Sequence, residues 1–533
     1  MSPSEQSTAT GWADPATIDS LAQWARRDGE RTAVWLDGTG ESLSFAELDR
    51  RAALAAHWLV AQGLQAHAEI ALLLENRLDY FVWGWAARRA GLYYTPISIH
   101  LQAAEIAYVL ADSGARLLIT SPQWAHTVAD IAVLSDWHGP CYVVEGEVEG
   151  FTSLAPLLQA FDPLTPLPAR PVGRDFLYSS GTSGKPKGVK RGLIPFEQRA
   201  EPTFETAFFA QQYGIDADCT YLSPAPLYHA APHRFSMRCI EFGASVVVMP
   251  HFDPERALAL VEQYHCTHAQ WVPTMMVRML ALPQSVKDRY DISSMRTFIH
   301  AAAPCPPEVK RGIIEWWGPV VVEYYAGSET VGITLLRSDE WLAHPGSVGK
   351  AVVGVIHIKD EHGQDLPPGE QGMIYFSGTP PFSYHNDPVK TAAAYAPDGA
   401  ATYGDIGHVD ADGYLYLSGR RTDLIITGGV NVYPQEVENL LSTYPGIADI
   451  AVIGVPDADL GHTVKAVVEL IPGVQGDEAM AQAIIAFCRS HLAHVKCPRS
   501  VDFTNRLPRE ANGKLYKRHL IAEYERHAFD AGH

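Results

Sequence analysis

Cysteine is sparse and scattered along this chain of 533 residues. Its seven cysteines, Cys141, Cys219, Cys239, Cys266, Cys305, Cys488 and Cys497, include no C-x-x-C pair. That excludes a disulfide framework, and an odd, dispersed set suits a reducing, cytoplasmic compartment. His265-Cys266-Thr267-His268 has the residue types of a metal site but neither the spacing nor a second ligand pair. Long apolar runs are missing too, none nearing the roughly 20 residues that cross a bilayer, so stable membrane insertion is not expected. The segment Met1 to Pro15 is polar and acidic, without a basic flank or apolar core, and reads as a disordered leader rather than a signal peptide. Positive charge is in deficit, with 41 Lys and Arg against 61 Asp and Glu and a net charge of −20. Such a chain is no general nucleic-acid binder, and an anionic substrate must be drawn in by local groups.

What is present has the balance of a soluble globular protein, 47% hydrophobic and 19% charged. The length exceeds what one core serves, so two or more domains are expected. Ala33–Leu36, a turn at Asp37-Gly38 and an extended piece near Leu43 predict a hairpin. Ser44-Phe45-Ala46-Glu47 is a capping-box pattern opening a helix that should stop near Gly63. Strand and helix signals then alternate to about residue 320, the pattern of α/β units with largely parallel sheets. After Gly346 the texture changes to short strands at Val352–Lys359, Gln371–Phe376 and Tyr414–Ser418, a β subdomain. Beyond Gly419-Arg420-Arg421-Thr422-Asp423 comes a small α+β unit, large enough to fold as a separate domain.

Residues 178–188, Tyr-Ser-Ser-Gly-Thr-Ser-Gly-Lys-Pro-Lys-Gly, carry the densest chemistry. Gly181, Gly184 and Gly188 let the backbone turn its N–H groups toward an anion. Ser179, Ser180, Thr182 and Ser183 add hydroxyl donors, and Lys185 and Lys187 add charge. This is a polyphosphate loop rather than a flexible linker, since two lysines around a proline in an apolar frame are foreign to linkers. It is not a Walker A loop, which would need Gly at Ser179 and Ser or Thr at Pro186.

This window resembles the signature loop of the adenylate-forming superfamily, which includes acyl-CoA synthetases, luciferases and peptide-synthetase adenylation domains. Further segments, in the family's order, resemble its other motifs from about residue 30 to about residue 520. Pro226-Leu227-Tyr228-His229 looks like the run whose histidine lines the acyl pocket or gates the thiol, and Trp271-Val272-Pro273-Thr274-Met275 like a pocket wall. Ala301-Ala302-Ala303-Pro304 resembles the adenine cradle. Tyr324-Tyr325-Ala326-Gly327-Ser328-Glu329 resembles the Tyr-Gly-x-Thr-Glu element, with Ala326 for the usual Gly and Ser328 for the usual Thr. The resemblance implies Tyr324 stacked on adenine, Ser328 on phosphate and Glu329 on Mg²⁺, a hard cation that suits a carboxylate. Tyr403-Gly404-Asp405 replaces the usual Thr-Gly-Asp; Asp405 would take both ribose hydroxyls, and Arg420 would serve the sugar or phosphate. Thr422 falls at the hinge, where Asp or Lys is usual. Gly428-Gly429 would clear a path for the pantetheine arm of CoA. Lys514, ending Asn512-Gly513-Lys514, would bridge the carboxylate nucleophile and the α-phosphate.

The resemblance therefore implies an α/β enzyme with a large N-terminal domain of mostly parallel sheets plus a β subdomain, and a small mobile α+β C-terminal domain. Expected boundaries are a leader at 1–15, an AMP-binding domain at 16–419, a hinge at 420–423 and a C-terminal domain at 424–533. The implied activity is an AMP-forming acyl-CoA synthetase using ATP, Mg²⁺ and CoA on a fatty or aryl/phenylpropenoic acid, with a homodimer common among relatives. Loading of a carrier protein, a luciferase-like oxygenation, and nucleotide binding without ligation stay open as alternatives.

Overall fold

The computed structural model describes residues 19–134, 137–179, 186–201, 203–457, 459–509, 515, 517–518 and 520–524. The chain divides into two compact units, the first made of Met1–Phe176, Arg191–Ser223 and Ala230–Pro250. The second takes in Leu177–Lys190, Pro224–His229 and His251–His533.

The first unit is built on parallel sheets, as the alternating signals predict. Six strands run in the order Thr152–Ser153, Cys141–Val143, Leu118–Thr120, Glu69–Leu73, Tyr93–Pro96 and Arg174–Asp175. Each neighbouring pair is parallel. Parallel strands covered on both faces must be apolar on both, and Ile70 to Leu73 are fully buried in one such strand. The predicted hairpin forms between Thr32–Leu36 and Ser42–Ser44. The following helix, Phe45–Ala61, begins at Ser44, whose hydroxyl accepts from the Glu47 N–H at 3.2 Å. Only this half of the capping box is made, because the Glu47 carboxylate turns to Arg50 and Arg51 at 2.7 and 2.6 Å. A guanidinium pair offers more charge than the single backbone N–H at the cap.

Beneath the last strand of the six lies a buried ion network. Asp175 accepts from Arg191 and Arg234, each at 2.9 Å, and Glu205 accepts from Arg174 at 2.5 Å. His233 is fully enclosed beside it, its Nε2 2.7 Å from the Tyr94 hydroxyl.

In the second unit three parallel strands, His268–Trp271, Thr297–His300 and Val321–Tyr325, lead into an antiparallel series. That series runs Ile333–Arg337, Ser347–Val353, Leu415–Arg420, Asp405–Val409, Gly372–Ser377 and Val355–Lys359. The single strand expected over Val352–Lys359 is two, because Gly354 at φ +80° turns the chain between them. A separate five-stranded sheet follows in the C-terminal region, with Gly461–Leu470 at its centre. The helices Pro434–Leu441 and Glu478–His491 contribute Val437, Leu441, Ile484 and Cys488 to its core. This region is the α+β unit expected beyond Asp423, and the fold class is the expected one of a large, mainly parallel α/β portion and an α+β C-terminal domain.

Candidate active site

The candidate site is assembled within the second unit, starting at the loop expected to bind phosphate. Leu177–Ser179 and Lys187–Val189 pair antiparallel, with Ser179 opposite Lys187 and Leu177 opposite Val189. The hairpin closes the loop at its foot; Ser180, Gly181, Thr182, Ser183, Gly184 and Lys185 lie outside the described residues. A third extended segment joins the outer strand, through an antiparallel bridge between Val189 and Tyr384 and a His385 N–H to Gly188 carbonyl bond of 2.8 Å.

That segment brings Tyr384 to Glu329 and Lys187. Its hydroxyl donates to Glu329 Oε1 at 2.8 Å, and Lys187 Nζ stands 5.0 Å from its ring centroid. Burial, and then the nearby Lys390, lower the ammonium pKa of Lys187, while Glu329 and Asp387 act the other way. Burial and the Glu329 charge push the Tyr384 phenol far upward, so it remains a donor at any working pH.

A second group surrounds Asp405, the first residue of its strand and directly opposite Arg420 in the ladder. Arg420 Nε lies 3.1 Å from Asp405 Oδ1, and the Tyr325 hydroxyl donates to Oδ2 at 2.6 Å. Burial raises the pKa of Asp405, with Arg420 and Tyr325 opposing that shift. Glu329 exerts a Coulombic effect on both Asp405 and Arg420, so the two groups share one electrostatic neighbourhood. Successive side chains on a strand point to opposite faces, so the Asp405 contact of Tyr325 turns Tyr324 to the other face of Val321–Tyr325.

Tyr403, standing where threonine was expected, is fixed by its own bonds. Its hydroxyl donates to the Gly332 carbonyl at 2.8 Å and its ring lies over Gly327. A Cβ at Gly327 would come within 2.4 Å of Tyr403 Cε1 and 2.7 Å of Glu329 Oε2. Ala326 and Ser328 flank this glycine, and the Ser328 carbonyl accepts from the Thr330 hydroxyl at 3.4 Å.

The other expected residues that the structure describes are placed as follows. His229 packs edge-on against Tyr228 at 4.6 Å. Ala302 is exposed with φ +78°, a left-handed conformation unusual for alanine, and Ala303 and Pro304 continue its loop. Gly428 and Gly429, at φ +55° and +80°, form the two-residue turn between Ile425–Thr427 and Val430–Val432. Positive φ at both positions is what a tight hairpin turn requires. Trp271, Met275 and Met276 are buried, Trp271 stacking on Phe298 at 5.3 Å. Lys514 lies outside the described residues; an antiparallel bridge between Arg509 and Leu515 closes the segment that holds it.

The donor set suits a hard divalent cation held mainly by phosphate and water. Glu329 offers one carboxylate whose Oε1 is engaged by Tyr384, while Oε2 takes no hydrogen bond among the described residues. His344, Asp410 and Asp412 also bring ligand atoms within 4.8 Å of one another. The two aspartates belong to one turn, in which the Asp412 and Tyr414 N–H groups donate to Asp410 Oδ1 at 3.0 and 2.9 Å, and His344 Nδ1 lies 3.0 Å from Asp410 Oδ2.

Two sequence models match the chain, that of the AMP-binding enzyme over residues 21–383 and that of the AMP-binding enzyme C-terminal domain over 436–514. The chain belongs to the AMP-binding enzyme family. Within it, this AMP-binding enzyme is 34% identical to a feruloyl-CoA synthase of an Amycolatopsis species, over 93% of the chain and 97% of that protein. It is 30% identical to a long-chain-fatty-acid–CoA ligase of Mycobacterium tuberculosis, over 91% of the chain and 94% of the ligase. Its fold matches ATP-bound MatB from Rhodopseudomonas palustris with a TM-score of 0.80 and 29% identity, covering 95% and 99% of the two chains. These relationships place the AMP-binding enzyme among AMP-forming acid–thiol ligases of the acyl-CoA synthetase type. No helix among its described residues is long and apolar enough to cross a membrane.

Proposed function

We propose that the enzyme joins a hydrophobic carboxylic acid, fatty or aryl/phenylpropenoic, to CoA through an acyl-adenylate, releasing pyrophosphate and AMP. The observation that carries this reading is the convergence of Lys187, Tyr384–Glu329 and Tyr325–Asp405–Arg420 at the foot of the phosphate loop. A triphosphate needs donors and cations on one side and a sugar acceptor on the other, and this cluster offers both.

In the first half-reaction a substrate carboxylate oxygen attacks the α-phosphorus as its bond to the pyrophosphate oxygen breaks. The hydroxyls and N–H groups of Ser179 to Gly184, with Lys185, Lys187 and Ser328, hold the β- and γ-phosphates. Lys514 aligns the carboxylate with the α-phosphate and offsets charge developing there. Asp405 binds the ribose hydroxyls, with Arg420 beside it, and the segment Ala302-Ala303-Pro304 lies against adenine. Because Tyr325, rather than Tyr324, shares the Asp405 face, Tyr325 is our choice for the stacking ring. Glu329 would hold Mg²⁺, which supplies charge neutralisation of the triphosphate.

In the second half-reaction the CoA sulfur attacks the acyl carbonyl carbon, the bond to the AMP oxygen breaks, and AMP departs. Rotation of the C-terminal domain about Thr422 would withdraw Lys514 and bring up the Gly428-Gly429 turn, leaving His229 to guard the thiol's entry. The class of acid is taken from the relatives named as a feruloyl-CoA synthase and a long-chain-fatty-acid–CoA ligase.

Pyrophosphate release with ATP and Mg²⁺, measured across fatty acids, benzoates and cinnamates with and without CoA, tests the reading. We expect acid-dependent pyrophosphate and stoichiometric acyl-CoA from one of these classes. Pyrophosphate without CoA consumption would favour a carrier-protein acceptor, and release of ADP instead would overturn adenylate formation.

A further inference from the structure

Glu329 and the strand Lys187–Val189 are far apart in sequence, yet one side chain touches both. Tyr384 donates its hydroxyl to Glu329 Oε1 at 2.8 Å across 55 positions of sequence, and its ring carries Lys187 Nζ at 5.0 Å. The ring cannot drift. Its backbone is bridged to Val189, its N–H donates to Thr391 Oγ1 at 2.9 Å, and Phe382 meets it edge-on at 5.2 Å. With Val189 and Ala394 it forms a small buried cluster at 9% exposure, leaving the hydroxyl little access to water. A buried phenol needs a partner, and here that partner is the carboxylate.

We propose that Tyr384 is a positioning residue of the adenylation step, fixing the Glu329 carboxylate so that Oε2 is presented to the cation while tying it to the strand that carries Lys187. This rests on the reading of Glu329 as the cation ligand. A carboxylate on a free side chain samples several rotamers and must be ordered when the metal nucleotide arrives. A hydrogen bond to Oε1 from a wedged ring does that ordering beforehand, and leaves the other oxygen for the ion. The same ring beneath Lys187 makes the spacing between the ammonium and the carboxylate a property of one rigid group, not of two independent loops.

Tyr384→Phe keeps the ring, and with it the Lys187 contact, and removes only the hydroxyl. The experiment measures Mn²⁺ binding by electron paramagnetic resonance to the full-length enzyme holding α,β-methylene-ATP, for the parent, Tyr384→Phe, Glu329→Gln and the double variant. Alongside it, the Mg²⁺ half-saturation of pyrophosphate release and the melting temperature are recorded. We expect Tyr384→Phe to weaken Mn²⁺ binding on the order of 10-fold, as befits loss of one charge-assisted hydrogen bond. The Mg²⁺ half-saturation should rise equally, with KM for the acid and the melting temperature unchanged. Glu329→Gln should weaken Mn²⁺ further, and adding Tyr384→Phe to it should cost nothing more. Normal Mn²⁺ affinity in Tyr384→Phe with a loss in Glu329→Gln overturns the positioning role and leaves the ligand reading intact. Normal affinity in both overturns the ligand reading and this inference with it. A fall in melting temperature with no change in Mn²⁺ affinity would make Tyr384 merely structural.

Discussion

Gly327 and Tyr403 offer a sharp test, because two departures from the family's usual residues meet there. The usual element has Gly-x-Thr before the glutamate, and this chain has Ala326-Gly327-Ser328; the usual Thr-Gly-Asp is Tyr403-Gly404-Asp405. The Tyr403 ring lies where a Gly327 side chain would be, its Cε1 and Cδ1 2.4 and 2.6 Å from an added Cβ. Both contacts are far inside van der Waals separation, and the ring is held by its bond to the Gly332 carbonyl. Gly327→Ala should therefore cost the ~1–3 kcal/mol typical of overpacking. Tyr403→Thr is itself destabilising by a few kcal/mol, since it removes a packed aromatic ring. In that background, however, the added methyl finds open space, and the Gly327→Ala step should fall to within ~0.5 kcal/mol of zero. The coupling energy is then ~1–3 kcal/mol, a range double-mutant cycles resolve readily. Urea unfolding followed by tryptophan fluorescence would measure it on the parent, both single variants and the double. The other near contact of the added Cβ, Glu329 Oε2 at 2.7 Å, is the end of a flexible side chain and yields at little cost in stability. It should not yield without cost in function, so KM for Mg·ATP should rise in Gly327→Ala in either background. An equal stability cost in both backgrounds would refute the reasoning, because it would mean that Tyr403 is not what keeps residue 327 a glycine.

Ala302→Gly should stabilise the protein by about 1 kcal/mol or less, because the ~1–2 kcal/mol left-handed strain at φ +78° exceeds the extra chain entropy that glycine loses; a lowered urea midpoint would show that the loop is not strained. Burial, opposed by Asp175, holds the buried His233 pKa down at about 4 against 6.5 in the unfolded chain. Stability from keeping it neutral is present above pH 6.5 and is lost as pH falls toward 4, so the unfolding free energy should drop across that window. His233→Gln, which can still hydrogen-bond the Tyr94 hydroxyl, should remove that slope; identical slopes in parent and variant would exclude His233 as its source. Burial works against ionisation of Glu205, but Arg174, Arg238 and Arg191 hold its pKa at about 2, so a further loss should follow from pH 4.5 toward 2 and be absent in Glu205→Gln. Lys514→Ala should abolish acid-dependent pyrophosphate release yet leave thioester formation from a supplied acyl-adenylate largely intact, and equal loss of both half-reactions would remove Lys514 from its adenylation role.

The fold was legible wherever its cause is local. Gly91 ends the helix Asp79–Ala90 at φ +72° because only glycine takes that conformation without strain. The alternation of apolar strands with amphipathic helices announces parallel sheets for the same kind of reason. Local signals failed where a nonlocal partner or a single torsion decided the outcome. The capping box at Ser44 is half made because Arg50 and Arg51 outbid a backbone N–H for Glu47, and Val352–Lys359 is two strands because of one glycine. The site divides in the same way. Glu329 and Asp405 stand out because the short motifs around them resemble the family's, a likeness carried by adjacent residues. What holds them is not recognisable, because Tyr384 and Tyr325 reach their carboxylates over 55 and 80 positions of sequence. Each is a tyrosine whose ring is anchored in a core and whose hydroxyl ends on a carboxylate oxygen, and nothing adjacent in sequence distinguishes it from a tyrosine that simply packs. Long-range tyrosine-to-carboxylate bonds are thus how this chain converts two locally readable carboxylates into a fixed constellation. They are also where its substitutions should alter nucleotide and metal binding without disturbing the fold.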